Sequence, residues 1–343
     1  MLTKTLDPKD VNAFSALVEE SENIVITCHV RPDGDAIGSS LALYHHLKKM
    51  GKSVSVLTPD QAPKSLSFLP GFKDLAPYTK YADYAARLIG EANLIICCDF
   101  NKLSRMDDLE PLVKESNAKK VLIDHHTDPE HFADVMFSFP HMSSTCELVF
   151  RLLCALGDYE KMDLDVATCL TTGFVTDTRN LSVSIDNPEV YYIMYMLAEK
   201  GVDRRKIIRN ALEAISLDAF RLKAFTLSER LTLLPEFRTA IIKLSREDLE
   251  EFHYEKGDTE GFVNEPLNIQ GIVASYFLRE DSDCIKVSAR SIDNFPVNKI
   301  CQDLFGGGGH LQAAGGEYKD GSLEDCYKIL VDALPQYVKL MKN

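Results

Sequence analysis

Several side chains in the first half of the chain are of the types that hold hard divalent cations. His29, Asp33 and Asp35 stand together in HVRPDGD, and Asp99 closes the apolar run LIICCDF. His125 belongs to the triplet Asp124-His125-His126, and Asp177 lies in GFVTDTRN. Histidine is the commonest nitrogen ligand for metals. Oxygen ligands with some imidazole suit Mn²⁺ or Mg²⁺ better than a metal that prefers thiolate. Carboxylates gathered this densely repel one another unless cations neutralise them. Two divalent ions would do that and would also clamp a phosphoryl group. Each segment also has a plainer explanation. Asp33 and Asp35 can shape a turn and cap a helix, and Asp99 can be a loop or N-cap aspartate. The metal chemistry therefore depends on these segments meeting in space.

A second group lies late in the chain. In GGGGHLQAAGG, over 306–316, Gly306, Gly307, Gly308 and Gly309 precede His310, and Arg290 follows Ser288 by two residues. Glycines let backbone approach a ligand closely and expose N–H groups to an anion. An arginine fork matches a phosphate. A glycine cluster alone is more often a flexible loop. With a histidine and an arginine close by in a strand–loop context, a phosphate or nucleotide cradle is the favoured reading. The segment SSTCE, over 143–147, spaces Ser144 and Glu147 as a capping box and is explained by helix capping. His45 and His46 read as packing or surface positions, and His131, His141 and His253 have no partner pattern.

The elements that must position these residues follow from the apolar pattern. An amphipathic helix is expected over 10–20, a strand over 24–29, a loop over 30–35 and a helix over 36–50 with Gly51 at its end. Further strands are expected over 53–58, 94–100, 121–124 and 136–139, and a helix over 164–175. Strands of nearly continuous apolar character, alternating with helices, indicate a parallel sheet covered on both faces. In such sheets ligands gather at the carboxyl ends of the strands, where the candidate ligands lie. Residues 188–233 read as two or three charged helices. Beyond them come strands over 238–244, 271–278 and 284–290 and a closing helix over 322–341. The fold class expected is α/β in two domains facing across a cleft. A metal-binding domain would span 1–187, a helical connector 188–237, and a smaller α/β substrate-binding domain 238–343.

Composition narrows the ligand. The 343 residues exceed what one core usually organises, and a 45% hydrophobic content suffices for two. A net charge of −14 gives no global field for long nucleic acid, which is bound by neutralising many phosphates. A short nucleotide is the natural candidate, and long duplex is not expected. The nine cysteines are odd in number, lie mostly in apolar stretches and form no CxxC pair, which disfavours thiolate zinc. Reduced, buried thiols in a cytoplasmic protein are the simplest reading. Neither a secretory signal nor a membrane span is expected.

Taken together, HVRPDGDAIGS, the strand-ending Asp99, DHH at 124–126, TDT at 176–178 and GGGGHLQAAG resemble the DHH phosphoesterases that carry a DHHA1 domain. Within that superfamily the chain looks most like the short NrnA-type proteins, which act on very short RNAs and on 3′-phosphoadenosine 5′-phosphate (pAp). The resemblance implies two cations, Mn²⁺ foremost and Mg²⁺ as the other choice. One would take His29, Asp33 and Asp99; the other would take Asp35, Asp99, His125 and Asp177, with Asp99 bridging. His126 would face the substrate phosphate or leaving group and, with Asp99, belong to the catalytic set. Asp124 would orient a histidine ring. Arg290, Gly306, Gly307, Gly308, Gly309 and His310 would bind the substrate. Phe100 and Cys301 depart from residues frequent in the family, without touching a proposed ligand. Two rival readings stay open: hydrolysis of linear or cyclic di-AMP, and a nucleotide-binding protein without catalysis. A full ligand set argues against the second. The sequence leaves monomer or homodimer open.

Overall fold

The computed structural model describes residues 5–183, 185 and 187–338. The chain divides into two compact units, Met1–Ala214 and Ile215–Asn343. The division falls inside the 188–237 stretch. The first unit runs α1 (Pro8–Glu20), β1 (Asn23–Thr27), α2 (Gly34–Lys49), β2 (Ser53–Thr58), β3 (Ala76–Pro77), α3 (Ala82–Glu91), β4 (Leu94–Cys98), α4 (Glu110–Glu115), β5 (Lys119–Asp124), β6 (Val135–Ser138), α5 (Thr145–Ala155), α6 (Leu164–Asp177), α7 (Glu189–Glu199) and α8 (Arg204–Ile208). Its strands form one parallel sheet in the order β3-β2-β1-β4-β5-β6.

The central strands are buried on both faces, as an α/β sheet covered by helices requires, and successive side chains enter opposite cores. Ile24, Ile26, Leu94, Ile96, Val121 and Ile123 face one core with residues of α1, α2, α5 and α6. Val25, Ile95, Cys97 and Leu122 face the other, closed by Ala85 and Ile89 of α3 and Val113 of α4. The strand order reverses between β1 and β4, so the connections leaving these neighbours diverge to opposite faces. That topological switch opens a crevice beyond their carboxyl ends. Thr27 pairs with Cys97, which sets the residues following β1 beside those following β4.

The second unit runs α9 (Leu217–Glu229), β7 (Leu231–Leu234), β8 (Thr239–Leu244), α10 (Arg246–Glu251), β9 (Ala274–Glu280), β10 (Ile285–Ser291), α11 (Val297–Phe305), β11 (Gly308–His310), β12 (Ala313–Tyr318) and α12 (Leu323–Val338). Its sheet, in the order β11-β12-β10-β9-β8-β7, is mixed: only β8 and β9 run parallel. The expected closing helix over 322–341 is α12, and residues 339–341 lie outside the described residues.

Local expectations need correction in several places. The strand expected over 271–278 begins later, at Ala274, after a loop that follows Gly271 in a left-handed conformation. Residues 231–234, assigned to the helical stretch, form edge strand β7 against β8. The glycine cluster is partly strand: Gly306 caps α11, and Gly308 and Gly309 lie in β11. Gly308–His310 and Ala313–Tyr318 pair as a hairpin. A Cβ on Gly307 would sit 1.9 Å from the Gly315 carbonyl oxygen, and one on Gly309 would sit 2.4 Å from that of Ala313. Close approach of the two chain segments accounts for glycine at these positions. All nine cysteines are free, most of them buried. Among the described residues no helix is long and apolar enough to cross a membrane.

Candidate metal centre

The centre is built at the switch point. After β1 the chain passes through buried Cys28 to His29, whose Nδ1 meets the Val30 carbonyl oxygen at 2.7 Å. With a proton on Nδ1 donated to that carbonyl, Nε2 is left as the ligating atom, and it faces Asp99 Oδ2 at 3.5 Å. Asp33 is the N-cap of α2, accepting from the amides of Asp35 and Ala36 at 3.0 and 3.1 Å. The capping explanation is therefore true of Asp33, and it coexists with a place in the cluster. Asp35 belongs to the first turn of α2 rather than the preceding loop. Its carboxylate is fully buried and accepts from the Thr145 amide at 2.6 Å and the Cys146 amide at 2.8 Å.

Asp99 follows β4 directly, so the strand ends earlier than the expected 94–100. Its φ of 67° lies in the left-handed region, which aspartate tolerates better than most residues. Its amide still donates to the Ile123 carbonyl oxygen at 2.9 Å, and its Oδ1 accepts from Thr145 Oγ1 at 2.9 Å. His125, just past β5, has Nδ1 at 3.2 Å from the Met142 carbonyl oxygen. Its Nε2 faces Asp177 Oδ2 at 3.2 Å, Asp99 Oδ1 at 3.6 Å and Asp35 Oδ2 at 3.9 Å. His126 Nδ1 meets Asp124 Oδ1 at 2.7 Å, so the ring that Asp124 orients is that of His126. Asp177 is the last residue of α6.

Asp177 reaches Asp35 because α2 and α6 cross at backbone contact. A Cβ on Gly34 would lie 2.4 Å from Thr176, and one on Gly38 would lie 2.6 Å from the Cys169 carbonyl oxygen. A Cβ on Gly173 would lie 2.2 Å from Cys146 Sγ and 2.5 Å from Asp35 Oδ1. No side chain larger than glycine leaves room for this approach.

The ligand atoms fall into overlapping groups, each with all its atoms within 4.8 Å: His29, Asp33 and Asp99; Asp35, His125 and Asp177; Asp99, His125 and His126. The donor set fits divalent cations. Burial raises the Asp35 carboxyl well above its ordinary range, with the Asp99 and Asp177 charges adding to it, and raises Asp177 to about 6. Burial opposes charge on His125 as well, yet its hydrogen bond to Asp177 and the charges of Asp35 and Asp99 lift it to about 10. A cluster that must hold protons to balance its charge is one that cations can balance instead. Burial also keeps the thiols of Cys28, Cys98 and Cys146 protonated, so they do not compete as thiolates.

Sequence reasoning missed Thr145 and Cys146. In the sequence, capping suffices to explain SSTCE although a place near the site is open to it, and Ser144 does accept from the Glu147 amide at 3.0 Å. The reciprocal half of the box is absent, because the Glu147 carboxylate turns to Ser143 and Arg151. The available signal was position: SSTCE follows β6 at the same sheet edge as the ligands. In the second unit, Arg290 and His310 both pair with Ala313, on β10 and β11 respectively. Directly opposed residues share a face, so the register aligns Arg290, Ala313 and His310 in one row. The Arg290 guanidinium donates to the Ala289 carbonyl oxygen at 2.9 Å.

Residues 23–174 match the DHH family N-terminal domain, and residues 239–340 match the DHHA1 domain. The chain belongs to the DHH family. As a DHH phosphoesterase it is a metal-dependent hydrolase, as its motifs implied. It is 31% identical to the bifunctional oligoribonuclease and PAP phosphatase NrnA of Thermus thermophilus, over 91% of this chain and 89% of that one. It is 26% identical to the cyclic-di-AMP phosphodiesterase PdeA of Listeria monocytogenes, over 95% of this chain but 49% of that one. Among solved structures, an exopolyphosphatase-related protein from Bacteroides fragilis superposes with a TM-score of 0.94 at 41% identity, covering 99% of both chains. The DHH signature is the triplet just described: Asp124 ends β5, and His125 and His126 follow it beside Asp99.

Proposed function

We propose that this DHH phosphoesterase hydrolyses short oligonucleotides to nucleoside 5′-monophosphates, and pAp to AMP and phosphate. The observation that carries the reading is the convergence of His29, Asp33, Asp35, Asp99, His125 and Asp177 beyond the carboxyl ends of one parallel sheet. His29, Asp33 and Asp99 would hold one divalent cation, and Asp35, Asp99, His125 and Asp177 a second, with Mn²⁺ as the foremost choice. Bound there, the cations would supply Lewis-acid polarisation of a phosphoryl oxygen and charge neutralisation.

The chain's own residues prepare that chemistry. The carbonyls of Val30 and Met142 hold the Nδ1 atoms of His29 and His125, turning both Nε2 atoms inward. Two amides hold Asp35 against rotation. Asp124 accepts from Nδ1 of His126 and fixes the ring, so that Nε2 faces away from Asp124 and, in the imidazolium form, would donate to a substrate phosphate or to the leaving oxygen. Arg290, His310 and Gly306 to Gly309 are assigned to the substrate's non-reacting phosphate. The likeness to NrnA along nearly the whole chain supports the choice of substrate, and the net charge of −14 supports a short one.

The test is a ranking of kcat/KM with Mn²⁺ over pAp, pApA, cyclic-di-AMP, and RNA and DNA from two-mers to twenty-mers. Two-mers and pAp should lead. A twenty-mer at the top would reject the reading. Cyclic-di-AMP at the top would favour instead the activity named for PdeA, which aligns with nearly the whole of this chain.

A further inference from the structure

The amino end of α5 touches both halves of the ligand cluster. Thr145 is fully buried and is not itself placed as a ligand. Its amide donates to Asp35 Oδ2 at 2.6 Å, and its hydroxyl donates to Asp99 Oδ1 at 2.9 Å. Asp99 must serve two neighbours at once: Oδ2 faces His29 Nε2 at 3.5 Å, while Oδ1 faces His125 Nε2 at 3.6 Å. Rotation about the carboxylate bond would swap or lose that division. A hydroxyl donating to Oδ1 fixes the rotation and leaves the remaining lone pairs of both oxygens for the two sides.

Ser143, two residues before Thr145, is in turn held by a buried ion network. Glu147 and Arg151 are 1% and 0% exposed. The Glu147 carboxylate takes the Ser143 amide at 2.9 Å and its hydroxyl at 2.6 Å through one oxygen. Through the other it takes Arg151 Nε at 2.9 Å and Nη2 at 2.6 Å. Arg151 Nη1 reaches Glu189 on α7 at 2.8 Å. Burying two ions costs several kcal/mol before their attraction repays it, so this pair adds little stability for its size. It does pin Ser143, and through the backbone the start of α5 that carries Thr145.

We propose that Thr145 is a positioning residue of the metal centre: its hydroxyl sets the Asp99 carboxylate so that one oxygen serves each cation site, and the Glu147–Arg151 pair holds Thr145 in place. The inference rests on the two-cation reading above. Partners that orient ligands typically govern about ten- to a hundred-fold in metal affinity.

Four forms of the full chain separate the hydroxyl from the bulk of the side chain: wild type, Thr145→Ser, Thr145→Val and Thr145→Ala. Thr and Val differ by the hydroxyl at constant shape, and so do Ser and Ala at smaller size. Mn²⁺ binding is measured by calorimetry and by electron paramagnetic resonance, which reports coupling between paired ions, with circular dichroism of the metal-free forms as the fold control. Wild type and Thr145→Ser should bind two coupled ions with affinities within about threefold, while Thr145→Val and Thr145→Ala should lose about tenfold or more and the coupling signal. The inference is overturned if Val binds as tightly as Thr, or if affinity follows the methyl so that Ser is as weak as Ala. A Thr145→Val chain that does not fold leaves the Ser and Ala pair to decide. Absence of paired Mn²⁺ in the wild type would sink the two-cation reading along with this one, whereas paired Mn²⁺ in all four forms would sink this one alone.

Discussion

Asp99 combines a left-handed backbone, a buried carboxylate and close approach to the imidazoles of His29, His125 and His126. Asparagine preserves its shape and tolerates the same φ, so Asp99→Asn removes the charge while keeping the backbone. Mn²⁺ stoichiometry should fall and kcat should drop at least about a hundredfold, since the reacting group loses its placement. Full metal content with near-normal kcat would reject Asp99 as the shared ligand. His125 carries a second prediction. Its hydrogen bond to Asp177 and the charges of Asp35 and Asp99 raise it to about 10 against the effect of burial, so it should carry a proton at pH 7 in the metal-free protein. A ligating imidazole must be neutral, so loading should release at least about one proton per chain at pH 7. The sign follows directly: below about 10 protons compete with the cation, and apparent affinity rises roughly tenfold per pH unit. The dependence should steepen below about 6, where Asp177 also takes up a proton. Calorimetry in buffers of different ionisation enthalpy counts the protons, and zero release at pH 7 would remove His125 from the ligand set.

At the scale of elements, the glycine-lined crossing of α2 and α6 does for the carboxylates what the sheet does for the strand ends. Gly173→Ala would drive a methyl into Asp35 Oδ1 and Cys146 Sγ. Overpacking of this kind costs typically 1–3 kcal/mol, so Tm should fall and Mn²⁺ binding should weaken with it. Gly90→Ala on α3 is the contrast: its Cβ would meet nothing within 4 Å, and the change should be neutral or stabilising by about 0.4–1 kcal/mol. Equal effects of the two would show that the crossing is not tight. In the second unit, the β10-β12-β11 register aligns Arg290 with His310. Loss of a charge-assisted phosphate contact is worth about 1.5–3 kcal/mol, so Arg290→Ala should lower kcat/KM roughly ten- to a hundred-fold while Mn²⁺ stoichiometry is unchanged. Lysine should restore only part, because it lacks the fork. Unchanged kcat/KM on pAp and on a two-mer would take Arg290 out of substrate binding.

At the scale of the whole molecule, the cores owe nothing to the metal. Each unit has its own buried apolar clusters, built from Ile, Val, Leu and Phe side chains on both faces of the first sheet and against the second. Chelation should therefore abolish turnover and leave circular dichroism intact, unlike a domain folded by zinc. Added Mn²⁺ should restore activity. Turnover that persists in EDTA would contradict metal dependence, and loss of ellipticity would show that the centre is also a structural staple.

What was legible in the sequence follows from local periodicity. Apolar runs ending at His29, Asp99 and Asp124 announced strands, and polar residues at their carboxyl ends announced a site, because a parallel sheet delivers its strand ends to one edge. The family motifs are those same residues. Other features were invisible for a physical reason. Thr145 donates to a carboxylate 110 positions away, and no local pattern encodes such a partner. The hairpin of β11 and β12 has few side chains of strand-forming type, so only pairing with β10 reveals it. Gly38 and Gly173 look like ordinary helix glycines, and Gly34 like a turn glycine, until α2 meets α6. The left-handed φ of Asp99 likewise comes from the surroundings that hold it. The candidate ligands, the parallel sheet and the family could be read from sequence, because each is carried by local residue types and periodicity. Tertiary packing alone decided which donors orient the ligands and how closely the helices approach, because both depend on contacts between segments that the chain separates by about a hundred residues.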